Sequence, residues 1–207
     1  MPAKLFDASA RAHSPISAPA GAAGSMRLAD LSLWPRAGLK GGAASAWLEQ
    51  RGAHLPAINA AARQKDGSLL ARLAENEYIA LAGSAHTNGP PCGLPDFDLG
   101  ADPEPGLCPV PRFAANAWFV LAGARLDEAF AKVCGIDLRP AKFANHLVAQ
   151  TIVARTTAIL VRDDSPKEPR FHVIVDWTTA QYLWDALVDA TREYDGAVAA
   201  AASVMSG

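Results

Sequence analysis

Cysteine is scarce in this 207-residue chain: Cys92, Cys108 and Cys134 are scattered, form no Cys-x-x-Cys pair and are odd in number. That usage offers neither a disulfide framework nor a zinc ribbon, fits a reducing compartment, and sets the cytoplasm as the expected location. Long apolar runs are also missing. No stretch approaches the roughly 20 residues that span a bilayer, so no membrane association is expected. Positive charge shows no excess, with 19 Lys and Arg against 21 Asp and Glu and a net charge of −2. The two signs are interspersed, which leaves no broad cationic surface for phosphates and excludes nucleic acid as an expected partner. Among the five histidines, His54, His86, His146 and His172 stand isolated, without a His-x-x-x-His pair or a carboxylate at ligand spacing. No metal site is expected from such spacing, and His172, alternating with Val173 and Val175, reads as a strand histidine. The glycines at 41–42 and 21–24 lack the strand-turn-helix setting of a phosphate loop.

What the chain does have is apolar content, half of its residues, enough for a substantial core. Residues 1–25 are interrupted by Asp7, Arg11, His13 and Pro15, so they do not read as a secretory signal. They are expected to form a flexible N-terminal arm, with an Ala and Arg content only faintly like that of an organelle transit peptide. Alternation in "MRLADLSLWP" predicts a strand, and "GGAASAWLEQRG" predicts a helix burying Ala43, Ala44, Trp47 and Leu48. "SLLARLAENEYIALAG" predicts a hairpin turning at Glu75-Asn76. A Pro-, Gly- and Asp-rich stretch, residues 84–112, is expected to be a long loop.

Beyond it a strand over 113–121 precedes a helix over 124–134, whose Leu126, Ala129, Phe130, Val133 and Cys134 share one face. β-branched residues in "HLVAQTIVARTTAILVRDD" predict two strands split near Arg155, and "FHVIVDW" predicts another. Thr178 and Gln181 form a capping-box signature for a last helix with Leu183, Leu187, Ala190 and Tyr194 on its apolar stripe, ended by Gly196. Residues 197–207 are expected to fray. Strand, helix, strand, strand occurs twice. The expected fold is therefore α+β, with antiparallel sheet and helices on one face, in ferredoxin-like βαββ units within a domain over 26–196.

The run Cys134-Gly135-Ile136-Asp137-Leu138-Arg139-Pro140 mixes chemistry with punctuation. Gly135 stands where a left-handed helix cap is wanted and Pro140 blocks continuation, so the run reads as a helix stop with Cys134 buried at the end of its stripe. Asp137 and Arg139 are free to pair locally or to face a partner. Trp177, Tyr182 and Trp184 cluster at the start of the last helix. Core packing is the first reading, with Tyr182 and Trp184 as the candidate partner interface and a cage for a methylated ammonium as a third alternative.

"CGIDLRPAKF", "VAQTIVARTTAILVRDD" and "FHVIVDWTTAQYLWDALVDATREYDG" together resemble the second half of the gamma subunit of the heterotetrameric sarcosine oxidase family. Gly123, Cys134, Asp137, Leu138, Ala149 to Thr151, Ala154, Arg155 and Tyr182 to Trp184 follow its pattern in order across residues 121–196. "ARLAENEYIALAG" is similar to an earlier family segment, with Arg72, Ala74, Glu75 and Tyr78 replacing its Trp, Gly, Pro and Trp. Arg112-Phe113-Ala114-Ala115 departs from the family's Asp-Val-Ser.

The resemblance implies an aminomethyltransferase-related fold and assembly with alpha, beta and delta subunits. In that assembly the complex oxidatively demethylates sarcosine to glycine, passes a one-carbon unit to tetrahydrofolate and forms hydrogen peroxide. It further implies that FAD, FMN, NAD, zinc and tetrahydrofolate sit in the partner subunits, and that this chain holds no catalytic, cofactor-binding or metal-binding residue. The corresponding subunit of N-methylglutamate dehydrogenase is similar as well. Two further readings stand beside these: a free-standing folate-binding protein, which needs a carboxylate such as Asp127, Asp137 or Asp176 in a cavity, and a plain interaction module.

Overall fold

The computed structural model describes residues 14–16, 24–84, 91–94 and 104–205. They fall into two compact units. One comprises residues 33–114, and the other joins residues 14–32 to the chain from residue 115 onward.

In the first unit, β2 (Arg36–Lys40) is followed by α1 (Ala44–Gln50), a meander of β3 (Ala60–Arg63), β4 (Leu69–Ala74) and β5 (Glu77–Leu81), and the short β6 (Cys108–Val110). The sheet order is β3-β4-β5-β2-β6, with every pair antiparallel. Alternation decides its core. Ala37 and Leu39 on β2 face Ala80 and Tyr78 on β5, and this surface receives Ala44, Trp47 and Leu48 of α1. The four-residue α2 (Arg112–Ala115) leads out of the unit, and Arg112 pairs with Glu77 at 2.6 Å.

The second unit repeats that connectivity. β7 (Asn116–Gly123), α3 (Leu126–Ala131) and a meander of β8 (Val148–Val153), β9 (Thr156–Arg162) and β10 (Arg170–Asp176) are followed by α4 (Ala180–Thr191), β11 (Gly196–Val198) and α5 (Ala201–Met205). With β1 (Met26–Asp30) the sheet runs β11-β1-β7-β10-β9-β8, and only the β1–β11 pair is parallel. Phe119 and Leu121 of β7, Phe171, Val173 and Val175 of β10 and Leu160 of β9 form one face, onto which α3 and α4 bury Leu126, Phe130, Leu183, Trp184 and Leu187. Gly123 is required where β7 ends. Its φ is +132°, and an added Cβ would collide with the Ser25 carbonyl oxygen. The β8–β9 hairpin turns on Ala154 and Arg155, at φ 45° and 68°, the two left-handed residues of a tight two-residue turn.

Several expectations are corrected. In each unit the repeated motif has three strands after its helix rather than two. The third strand returns to pair with the first, so β10 separates β7 from β9 and no contiguous ferredoxin-like βαββ unit forms. Within the expected loop 84–112 the chain makes a turn at Pro91–Gly93 and strand β6; residues 85–90 and 95–103 lie outside the described residues. Of the expected arm, residues 1–13 and 17–23 likewise lie outside them. Ile16 packs against the second unit's core, and the Ser14 hydroxyl bonds the Asp30 carboxylate.

α3 ends at Ala131, before the expected residue 134. The amide of Cys134 still bonds the Phe130 carbonyl, but Cys134 then bridges Val153, and Gly135 is not left-handed. Strand pairing, rather than a glycine cap, stops this helix. Thr178 is not the cap of the last helix: Asp176 accepts from its amide, and Gln181 turns to Asp185 instead. The expected frayed tail over 197–207 is ordered through 205. β11 pairs with β1, Val204 and Met205 are buried, and Arg27 and Arg170 donate to the Ser203 and Val204 carbonyls. The Ala-rich sequence gives no periodic signal for this. Its order comes from partners distant in sequence.

Candidate functional site

Polar side chains converge at the β9–β10 turn. β10 alternates, so Phe171 and Val173 face the helices while Arg170 and His172 point to the other side of the sheet. There the Trp118 indole N–H donates to His172 Nδ1 at 3.1 Å. Because an indole nitrogen only donates, Nδ1 carries no proton, and the imidazole is fixed as the Nε2–H tautomer that donates to Asp163 Oδ2 at 3.1 Å. Arg170 donates to the same oxygen at 2.7 Å, and its Nε donates to the Asp163 carbonyl at 3.0 Å. Asp163 is 2% and His172 1% exposed, so this is a buried, charge-compensated chain of hydrogen bonds. His146, half-exposed, approaches the other Asp163 oxygen at 3.7 Å. The arrangement orients an imidazole as a triad does, but the Nδ1 lone pair that a general base would use is occupied by tryptophan. Its chemistry is that of a structural brace.

The residues singled out in the sequence do not converge on one site. Cys134 is 7% exposed within the second core, as its stripe predicts. Cys134→Ser should cost about 1–3 kcal/mol of stability by burying a hydroxyl, checked by urea denaturation, while leaving turnover of any assembled enzyme unchanged. Asp137 and Arg139 are exposed and pair with each other, Arg139 Nε reaching Asp137 Oδ1 at 2.8 Å. The Arg139 side-chain hydrogen bonds hold the Asp137 carboxyl down to about 2. A depressed folded value means the pair's contribution is present above the ordinary carboxylate range and is lost as pH falls through about 2. An NMR titration of the Asp137 carboxyl should show that midpoint, and Arg139→Ala should return it to the ordinary range.

Asp176 is exposed and caps the turn at Trp177–Thr179, and the half-exposed Asp127 adds favourable charge for Arg139. Neither is among the residues lining the cavity beside Asp30 and Trp184. Trp184 is 2% exposed and meets Phe119 edge-on at 5.1 Å, so it belongs to the core and is removed from the candidate interface. Tyr182, 54% exposed, keeps its surface position, and no three-sided cage of Trp177, Tyr182 and Trp184 can form around a buried Trp184. His54 lies on the surface of the first unit and His86 lies outside the described residues. Burial pushes the Cys92 thiol up to about 12, which makes it a poor nucleophile.

Sequence reading missed Asp163, Arg170 and Trp118 as a set. The available signal was Asp163-Asp164 and Arg170 flanking a strand turn beside His172, but their convergence depends on register across three strands. It also missed a cavity of about 230 Å³ between Asp30, Trp184 and the β11–α5 junction. Its one carboxylate, Asp30, already accepts from the Ser32 amide and the Ser14 hydroxyl. Among the described residues no group of three or more His, Cys, Asp or Glu could hold a metal ion, and no helix is long and apolar enough to cross a membrane.

This mixed α+β architecture of largely antiparallel sheets is shared with solved structures. The aminomethyltransferase T of the glycine cleavage system from Bartonella henselae superimposes with a TM-score of 0.59 at 16% identity, over 86% of this chain but 48% of that one. The heterotetrameric sarcosine oxidase from Corynebacterium sp. U-96, solved in complex with pyrrole 2-carboxylate, contains a chain that superimposes with a TM-score of 0.66 at 20% identity. That alignment covers 86% of this chain and 90% of its counterpart. The likeness at such identities is one of fold, and it agrees with the fold the sequence resemblance implies. No protein-family model matches the chain, and no curated protein matches it.

Proposed function

We propose that this chain is a non-catalytic, gamma-type subunit of a heterotetrameric sarcosine oxidase, working in the cytoplasm with alpha, beta and delta partners. One observation carries the reading: the fold match accounts for nearly all of a sarcosine oxidase chain, but for only about half of the aminomethyltransferase. A match over nearly the whole of a counterpart within a heterotetramer supports a subunit role more directly than a match to about half of the aminomethyltransferase. In the proposed complex, FAD, FMN, NAD, zinc and tetrahydrofolate are held by the other subunits. Sarcosine is oxidised to glycine there, its one-carbon unit passes to tetrahydrofolate, and hydrogen peroxide forms. The free-standing folate reading draws no support from the exposed Asp137 and Asp176, held in a local pair and a turn cap, or from the half-exposed Asp127.

The test is to purify the chain alone and after co-expression with its flavoprotein partners. Alone it should be colourless and inactive. With partners it should enter a yellow complex that turns over sarcosine, and parallel assays with N-methylglutamate decide between the oxidase and the related dehydrogenase. Stoichiometric flavin or substrate oxidation in the lone chain would overturn the structural role. Failure to join any flavoprotein would overturn the assembly.

A further inference from the structure

We draw no further inference here: the strongest candidate, the surface patch around the exposed Ile152 on edge strand β8 of the six-stranded sheet, carries nothing because nothing in the structure shows what covers it.

Discussion

Asp163→Ala should lower the unfolding free energy by about 3–5 kcal/mol, the range for breaking a buried ion pair by removing one partner. The loss has two parts. Arg170, 5% exposed, keeps its charge without the carboxylate that compensates it, and the His172 Nε2–H loses its acceptor. Arg170 also donates to the Val204 carbonyl, so its displacement loosens the C-terminal helix. Asp163→Asn retains an acceptor oxygen for one of the two donors while removing the charge, and its cost should fall between wild type and the alanine variant. Urea denaturation followed by tryptophan fluorescence measures both, and Trp118 lies within the affected network. A cost for the alanine variant below about 1 kcal/mol, the size of a surface pair, would show that the network does not brace the sheet.

Trp184→Ala should cost about 3–5 kcal/mol, as expected for emptying an aromatic site in a packed core. Its ring fills the space between α4 and the sheet, edge-on to Phe119, among Leu183, Leu187 and Val175. Tyr182→Ala, two residues earlier on the exposed side of the same helix, should change stability by no more than about 0.5 kcal/mol. The pair of variants separates packing from docking. If the proposed assembly uses this helix, the tyrosine variant folds normally and weakens co-purification with the partner subunits. Equal stability losses for the two substitutions would contradict the burial difference on which the interface assignment now rests.

Legibility of the fold followed the strength of local periodicity. Strands β4, β5, β9 and β10 and helices α1 and α4 were readable because their apolar residues alternate, or recur at helical spacing, over enough positions to stand out. β2, with Gly38 and two flanking basic residues, and β3, with three alanines, carry no such pattern. They are held by register with β5 and β4. The Arg27 and Arg170 contacts that order α5 are equally invisible, since they join positions more than 30 residues apart. Trp184 was ambiguous from sequence because it lies beside Leu183 rather than on the main stripe. α4 buries a face wide enough to take both. The polar cluster was least legible of all, because the fixed tautomer of His172 depends on a tryptophan on the neighbouring strand β7, 54 residues earlier in the chain.

The parallel pairing of β1 with β11 has a consequence for synthesis. Among the described residues the first unit lies within residues 33–114, so all its strands are synthesised before β7. β1 must wait, because β7 and β11, its antiparallel and parallel neighbours, come later, and the Ser25 amide meets the Asp195 carboxylate across 170 residues. Contacts so distant along the chain form late and slow folding. Until translation passes residue 198, β1 lacks one of its neighbours and presents an unpaired edge, the kind of surface that invites aggregation or a chaperone.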